Sequence, residues 1–276
     1  MNPIHRTVLY TLTISWAVAG LFYLLGVRPG SPLFFPFSLL YMWIPGLIAL
    51  GLARRGGLNL LRWSHPSRYW LLAWLLPVVL TLLSVPVSLL FGPWVGLEGF
   101  LRQLPSQLPL ETLPPTATLL LLIILQALVA GATLNLLAAL GEELMWRGYL
   151  WEQVRGLGLW RAAWLIGGVW GVWHTPLILQ GYNYPQHPLL GVLWMTLFTL
   201  LLSPWMLYLR ERGGSVWVAA LFHGTLNAVG PLGHVLVERT SDLLVGMLGL
   251  AGFVVLLAAN LVLYTLCQPG ESWLRR

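Results

Sequence analysis

Lysine is absent from the 276 residues, and cysteine and aspartate occur once each, as Cys267 and Asp242. Without lysine there is no Schiff-base chemistry and no phosphate-loop lysine. A single cysteine excludes an internal disulfide, and a single aspartate excludes an aspartyl dyad. Charge of either sign is scarce. Fifteen basic residues, all arginine, and 9 acidic ones make up 9% of the chain, against about 25% in soluble globular proteins. Apolar residues make up 58%. So few charges cannot clothe a water-soluble surface. The composition excludes a disordered chain, a disulfide scaffold, a coiled coil and an ordinary soluble enzyme.

What is present is a series of charge-free stretches, at 7–27, 29–53, 69–97, 112–141, 162–209, 213–237 and 243–270. A helix needs about 20 apolar residues to cross a hydrocarbon core of about 30 Å. Six stretches hold one span each. The seventh, 162–209, holds two, because Gly181-Tyr182-Asn183-Tyr184-Pro185-Gln186-His187-Pro188 interrupts it with a polar, proline-containing turn. Lipid offers no partner to an unpaired peptide group, so the spans are expected to be helices. The sequence predicts an all-α, polytopic membrane helix bundle, a single domain over 1–276. Its eight transmembrane helices fall near 7–26, 33–53, 69–92, 117–141, 162–180, 189–209, 215–237 and 243–266. The first span ends in bulky residues without a small-x-small cleavage site, so it reads as a retained anchor rather than a signal peptide. A short interfacial helix is expected within 93–116, and a helix lying on the cytoplasmic surface over 148–161. Sixteen tryptophans suit interfacial belts.

Arginine placement orients the chain. Arg6, Arg54, Arg55, Arg62, Arg68, Arg147, Arg155, Arg161, Arg210, Arg212, Arg275 and Arg276 fall on one side, 12 in all, against Arg28, Arg102 and Arg239 on the other. The positive-inside rule makes the arginine-rich side cytoplasmic and puts both termini there, in a cell inner or plasma membrane. The net charge of +6 reflects this bias, and no basic surface suited to nucleic acid accompanies it.

A charge inside a bilayer costs roughly 2.5–3.5 kcal/mol on insertion scales, so polar residues that break an apolar run are informative. Glu142, Glu143 and Arg147 end the fourth span. Glu143 and Arg147 stand at i,i+4 on one helix face, acid first, whereas Glu142 is turned about 100° away. The ion pair can therefore form while leaving Glu142 for chemistry. His174 lies in the fifth span, where Pro176 frees a backbone carbonyl that could orient its ring. His223 and Asn227 share a face of the seventh span at i,i+4, beside Gly224. His234 carries no assigned role, and His5, His65 and His187 read as solvated. Each of these residues taken singly has a bland reading, as a juxtamembrane charge or an interhelical hydrogen bond.

Together, a carboxylate, two imidazoles and a carboxamide in low dielectric suit amide hydrolysis in two versions. In one, Glu142, His174 and His223 ligate a metal such as zinc with an open position for water. In the other no metal is used: Glu142 is the general base on a water also held by His174, and His223 and Asn227 donate to the oxyanion. The zinc motif H-E-x-x-H is absent. Ser203 and Ser215 sit in no nucleophile elbow, and Cys267 has no acid–base motif beside it.

In order and on separate spans, Glu142-Glu143-x-x-x-Arg147, Trp170-x-x-x-His174 and His223-x-x-x-Asn227 resemble the three motifs of the CPBP family. This is the CAAX-prenyl-endopeptidase and bacteriocin-processing group of intramembrane proteases, also called Abi. The resemblance covers roughly 117–240. It implies an intramembrane site in a cavity open toward the cytoplasm, and hydrolysis of peptide bonds in membrane-anchored or lipidated substrates. By motif position it implies Glu142 as the catalytic glutamate, Glu143 with Arg147 as its accompanying pair, and His174, His223 and Asn227 as partners. Zinc and metal-free mechanisms both remain open for it. One departure is that the second motif usually begins with Phe. Trp170 is expected to alter the shape of the cavity wall rather than its chemistry. Two other readings compete: a non-enzymatic membrane scaffold or immunity protein, and a transporter using the same polar cluster. The absence of an internal repeat weighs against the transporter.

Overall fold

The computed structural model describes residues 3–103 and 114–267. Arg275 and Arg276, used in the orientation count, and residues 104–113 of the 93–116 connection lie outside this set. Among the described residues the regular structure is helical, and the one β contact is an isolated antiparallel bridge between Trp94 and Val237. Three long helices come first: α1 (Pro3–Leu24), α2 (Phe34–Arg55) and α3 (Arg68–Ser88). The short helix α4 (Gly96–Gln103) occupies the connection where an interfacial helix is expected. The fourth predicted span is divided into α5 (Thr116–Ala132) and α6 (Leu134–Glu143), then a π-helical segment Leu144–Leu150, α7 (Trp151–Val154) and a 3-10 turn Arg155–Leu157. The fifth becomes α8 (Leu159–Trp173) and α9 (Thr175–Leu179). There follow α10 (Pro188–Gly213), α11 (Val216–Val229), α12 (Leu232–Leu236) and α13 (Leu250–Leu266).

All eight predicted spans are helical, but they are not eight regular crossings. Four helices are long and apolar enough to cross a membrane, and a fifth span is counted if α5 and the helix after it, bent by 45° at Thr133, are taken as one. The others, α8, α11 and α13, have 15, 14 and 17 residues. Local chemistry shortens them. Pro176 lacks the N–H that would bond the Val172 carbonyl, which ends α8 at Trp173. Gly230-Pro231 follows the last residue of α11.

Lipid is as apolar as leucine, so such helices associate through close packing and polar contacts rather than through the hydrophobic effect. Gly46 of α2 and Gly141 of α6 meet backbone to backbone: a Cβ on Gly46 would overlap the Gly141 carbonyl oxygen. At Gly224 of α11 a Cβ would lie 2.5 Å from the Leu136 amide nitrogen of α6. These two contacts press α6 between α2 and α11. They also set Glu142 and His223, the neighbours of Gly141 and Gly224, against the same interior.

The tryptophans are not only a belt. Trp146, Trp151, Trp170, Trp173 and Trp205 are buried, because their large rings fill the gaps between short, bent helices. The 148–161 segment is broken rather than one helix, and it buries one face while Gln153, Arg155, Leu157 and Arg161 stay exposed. Trp151 is fully buried and its indole donates to Glu211 at 3.1 Å. His187, expected to be solvated, has its Nδ1 2.6 Å from the buried Asp242.

Candidate active site

The three motif segments converge. Glu142, Glu143 and Arg147 come from α6 and the π-helical segment, Trp170 and His174 from the end of α8, and His223 and Asn227 from α11. A cavity of about 430 Å³ is lined by Glu142, Trp170, His174, His223 and Asn227 among others. Glu143 and Arg147 stand behind its wall.

That division follows from the helical register. One residue of rotation turns Glu142 toward the cavity and Glu143 toward Arg147. Both Glu143 oxygens accept from Arg147 Nη1, at 3.1 and 3.2 Å, and both side chains are fully buried. Arg147 Nη2 donates to Ser203 Oγ at 2.8 Å, and its guanidinium lies 4.3 Å from the centre of the Trp170 ring. A buried ion pair is tolerable only when its remaining donors and acceptors are met. Here the serine, the indole face and His223 meet most of them, and Arg147 Nε is the buried donor left without a partner. His223 Nδ1 is 2.9 Å from Glu143 Oε1. A carboxylate oxygen accepts, so Nδ1 carries the hydrogen and Nε2 is the ring atom left for the cavity.

His174 is held in the same way by a different device. At the break after Trp173 the His174 amide bonds the Gly171 carbonyl at 3.1 Å, one residue short of the α-helical partner. The Trp170 carbonyl that this amide would have used is thereby freed, and it accepts from His174 Nδ1 at 2.8 Å. The orienting carbonyl is thus that of Trp170, not one released by Pro176 as the sequence suggests. Again Nδ1 carries the hydrogen and Nε2 is available. The Trp173 carbonyl, freed by the same break, accepts from the Tyr41 hydroxyl at 2.9 Å and the Trp16 indole at 3.3 Å. Tyr41 stacks on Trp173 at 4.4 Å.

Glu142 has a partner that the sequence does not reveal. The Trp170 indole N–H donates to Glu142 Oε2 at 2.7 Å. The same ring meets His223 edge-on at 5.3 Å. Trp170 therefore touches Glu142, Arg147 and His223 at once, and its effect is chemical as well as steric, because phenylalanine has no hydrogen to donate. The only signal in the sequence is the motif position where Trp replaces the usual Phe. Ser203, considered as a nucleophile, is fully buried on Arg147 and outside the cavity lining. His234, given no role, and Tyr182 both line the cavity. Burial, with the Glu142 charge adding to it, holds the Tyr182 phenol above its ordinary range, so it stays an O–H donor.

Both imidazoles present a free Nε2 backed by a hydrogen-bonded Nδ1, as metal-ligating histidines do. Yet among the described residues no three His, Cys, Asp or Glu side chains stand together as a metal-holding group. Glu142, His174 and His223 do not form a three-ligand centre in this arrangement.

Residues 116–229, which include every motif residue, match the family model described as type II CAAX prenyl endopeptidase Rce1-like. The chain is also 32% identical over 139 residues to CAAX prenyl protease 2 of Methanococcus maripaludis, an alignment covering 48% of each protein. The chain thus spans about half the length of the curated relative it matches. The ordered motifs, their convergence on one cavity and these two similarities agree: over residues 116–229 the chain is similar to the Rce1-like CAAX prenyl endopeptidases.

Proposed function

We propose that this integral membrane protein is an intramembrane endopeptidase that hydrolyses peptide bonds of membrane-anchored or lipidated substrates, with Glu142 as its general base. The observation that carries the reading is the placement of Glu142. Among the described residues it is the one carboxylate lining the cavity, while its neighbour Glu143 is neutralised by Arg147 behind the wall.

The chemistry needs no metal. A water between Glu142 and His174 donates one hydrogen to the lone pair on His174 Nε2 and the other to the carboxylate. As the water oxygen attacks the scissile carbonyl, its proton passes to Glu142. The carbonyl oxygen becomes an oxyanion, and the Asn227 carboxamide is the donor that meets it. His223, fixed by Glu143, presents Nε2 on the same α11 face. The C–N bond then breaks and Glu142 returns the proton to the departing amine. Trp170 keeps one carboxylate oxygen engaged, so that the other faces the water.

Comparing membrane-derived peptides from cells that carry the wild-type protein with those that carry Glu142→Ala tests the reading. Peptide termini that appear only with the wild type are expected. Identical peptide sets would leave a scaffold or a transporter as the account.

A further inference from the structure

The cavity lies on one side of Glu142 along the bundle axis. Its lining comes from the first half of α2, from α6, the middle of α10, the last turns of α8 and α11, α9 and the loop after it, and the segment beyond α11; its outermost members are Phe35, Tyr182, Asn183, Asn227, Pro231 and Arg239. Each of these marks the end of the bundle remote from Arg54 and Arg55 of α2, from Arg161 at the start of α8, and from Arg210 and Arg212 of α10. Phe35, Asn227 and Pro231 are exposed, so this is also where the cavity opens.

The opposite end is plugged. Trp146 and Trp151 are fully buried there. Arg210 donates to the Arg147 carbonyl at 3.0 Å, to Glu152 at 2.6 Å and to Glu211 at 3.0 Å, pinning the end of α10 onto the segment that follows Glu143. Ser215 donates to the Arg62 carbonyl at 2.8 Å, which ties the α10–α11 turn to the α2–α3 connection. No residue of 144–161 or 204–216 lines the cavity.

Arg147 belongs to the site, and Arg275 and Arg276 lie outside the described residues. The other arginines still split 9 to 3 in favour of the plugged end, which the positive-inside rule assigns to the cytoplasm. We infer that substrate reaches Glu142 from the arginine-poor, non-cytoplasmic face, so that the substrate class is the extracytoplasmic juxtamembrane segment of a membrane-anchored protein. This reverses the cytoplasmic opening implied by the family resemblance, and it rests on the peptidase reading for its catalytic half only.

The test uses the whole chain in bacterial cells. Because Cys267 is the sole cysteine, a Cys267→Ser background permits single reporters: Pro185→Cys in the exposed loop after α9, Asn227→Cys in the cavity and Arg155→Cys at the plugged end. A membrane-impermeant maleimide is expected to label the first two in intact cells and Arg155→Cys only after lysis. Labelling of Asn227→Cys only from the Arg155 side, or from neither side, overturns the inference. In a second arm, one tethered peptide is presented on either side of the membrane. Glu142-dependent cleavage is expected with the outer presentation. Cleavage confined to the cytoplasmic presentation overturns the inference and leaves the peptidase reading intact. If neither is cleaved, the peptidase reading fails, and the labelling arm alone decides the side of access.

Discussion

Trp170→Phe is the change for which the geometry gives the sharpest expectation. It restores the residue usual in the family and keeps an aromatic face under Arg147, but it deletes the N–H that donates to Glu142 Oε2 at 2.7 Å. A hydrogen bond to a charged group contributes about 1.5–3 kcal/mol net. If that interaction serves to hold the general base, its loss appears in the chemical step, where about 1.4 kcal/mol is a factor of ten. The turnover number is therefore expected to fall about ten- to a hundredfold. KM should change little, since the cavity keeps an aromatic wall. Trp170→Ala is the contrast: it also removes the ring from a buried site, and large-to-small changes of that kind cost roughly 3–5 kcal/mol of stability. The assay is steady-state cleavage of a membrane-tethered reporter by purified, reconstituted protein, with thermal unfolding in detergent measured in parallel. A Trp170→Phe protein with a turnover within twofold of wild type would refute the positioning role, because the family's phenylalanine would then serve this chain equally well.

Three further outcomes follow from the same contacts. Arg147→Met leaves the Glu143 carboxylate buried without its cation, and breaking a buried pair in this way costs about 3–5 kcal/mol. The midpoint of thermal unfolding should drop sharply, and an unchanged midpoint would contradict the burial seen here. Gly224→Val has no space against the α6 backbone, so it should push α11 away and lower both stability and cleavage. Gly51→Ala, where nothing lies within 4 Å, should do neither. Chelation followed by dialysis should leave reporter cleavage unaltered, because Glu142, His174 and His223 do not gather into a ligand set. Loss of activity restored by zinc would replace the general-base account.

The long helices were legible because their boundaries are set by charge and by polar turns. The stretches before Arg54, after Arg68 and before Arg210 give α2, α3 and α10 to within a few residues. The breaks were not, because hydropathy carries no hydrogen-bond register. Thr133 and His174 sit in apolar runs that read as continuous spans, yet the backbone changes partners at both. The π-helical segment after Glu143 leaves no hydropathy signal either. The candidate site divides along the same line. Glu142, Glu143, Arg147, His174, His223 and Asn227 stood out as polar residues in apolar company. The supporting contacts of Trp170, Ser203 and Tyr41 were hidden, because the partner of an indole or a hydroxyl in a membrane helix is not written in its sequence position. The mouth of the cavity was hidden too. It is a property of which helix ends meet, and motif order does not encode that.

The most direct measurement of the central claim is Glu142→Gln in proteoliposomes. The carboxamide keeps the size of the side chain and an oxygen for the Trp170 indole, but it cannot take a proton from water. The account requires reporter cleavage to fall to background while thermal unfolding in detergent stays close to wild type. Cleavage at the wild-type rate by a folded Glu142→Gln protein would contradict it.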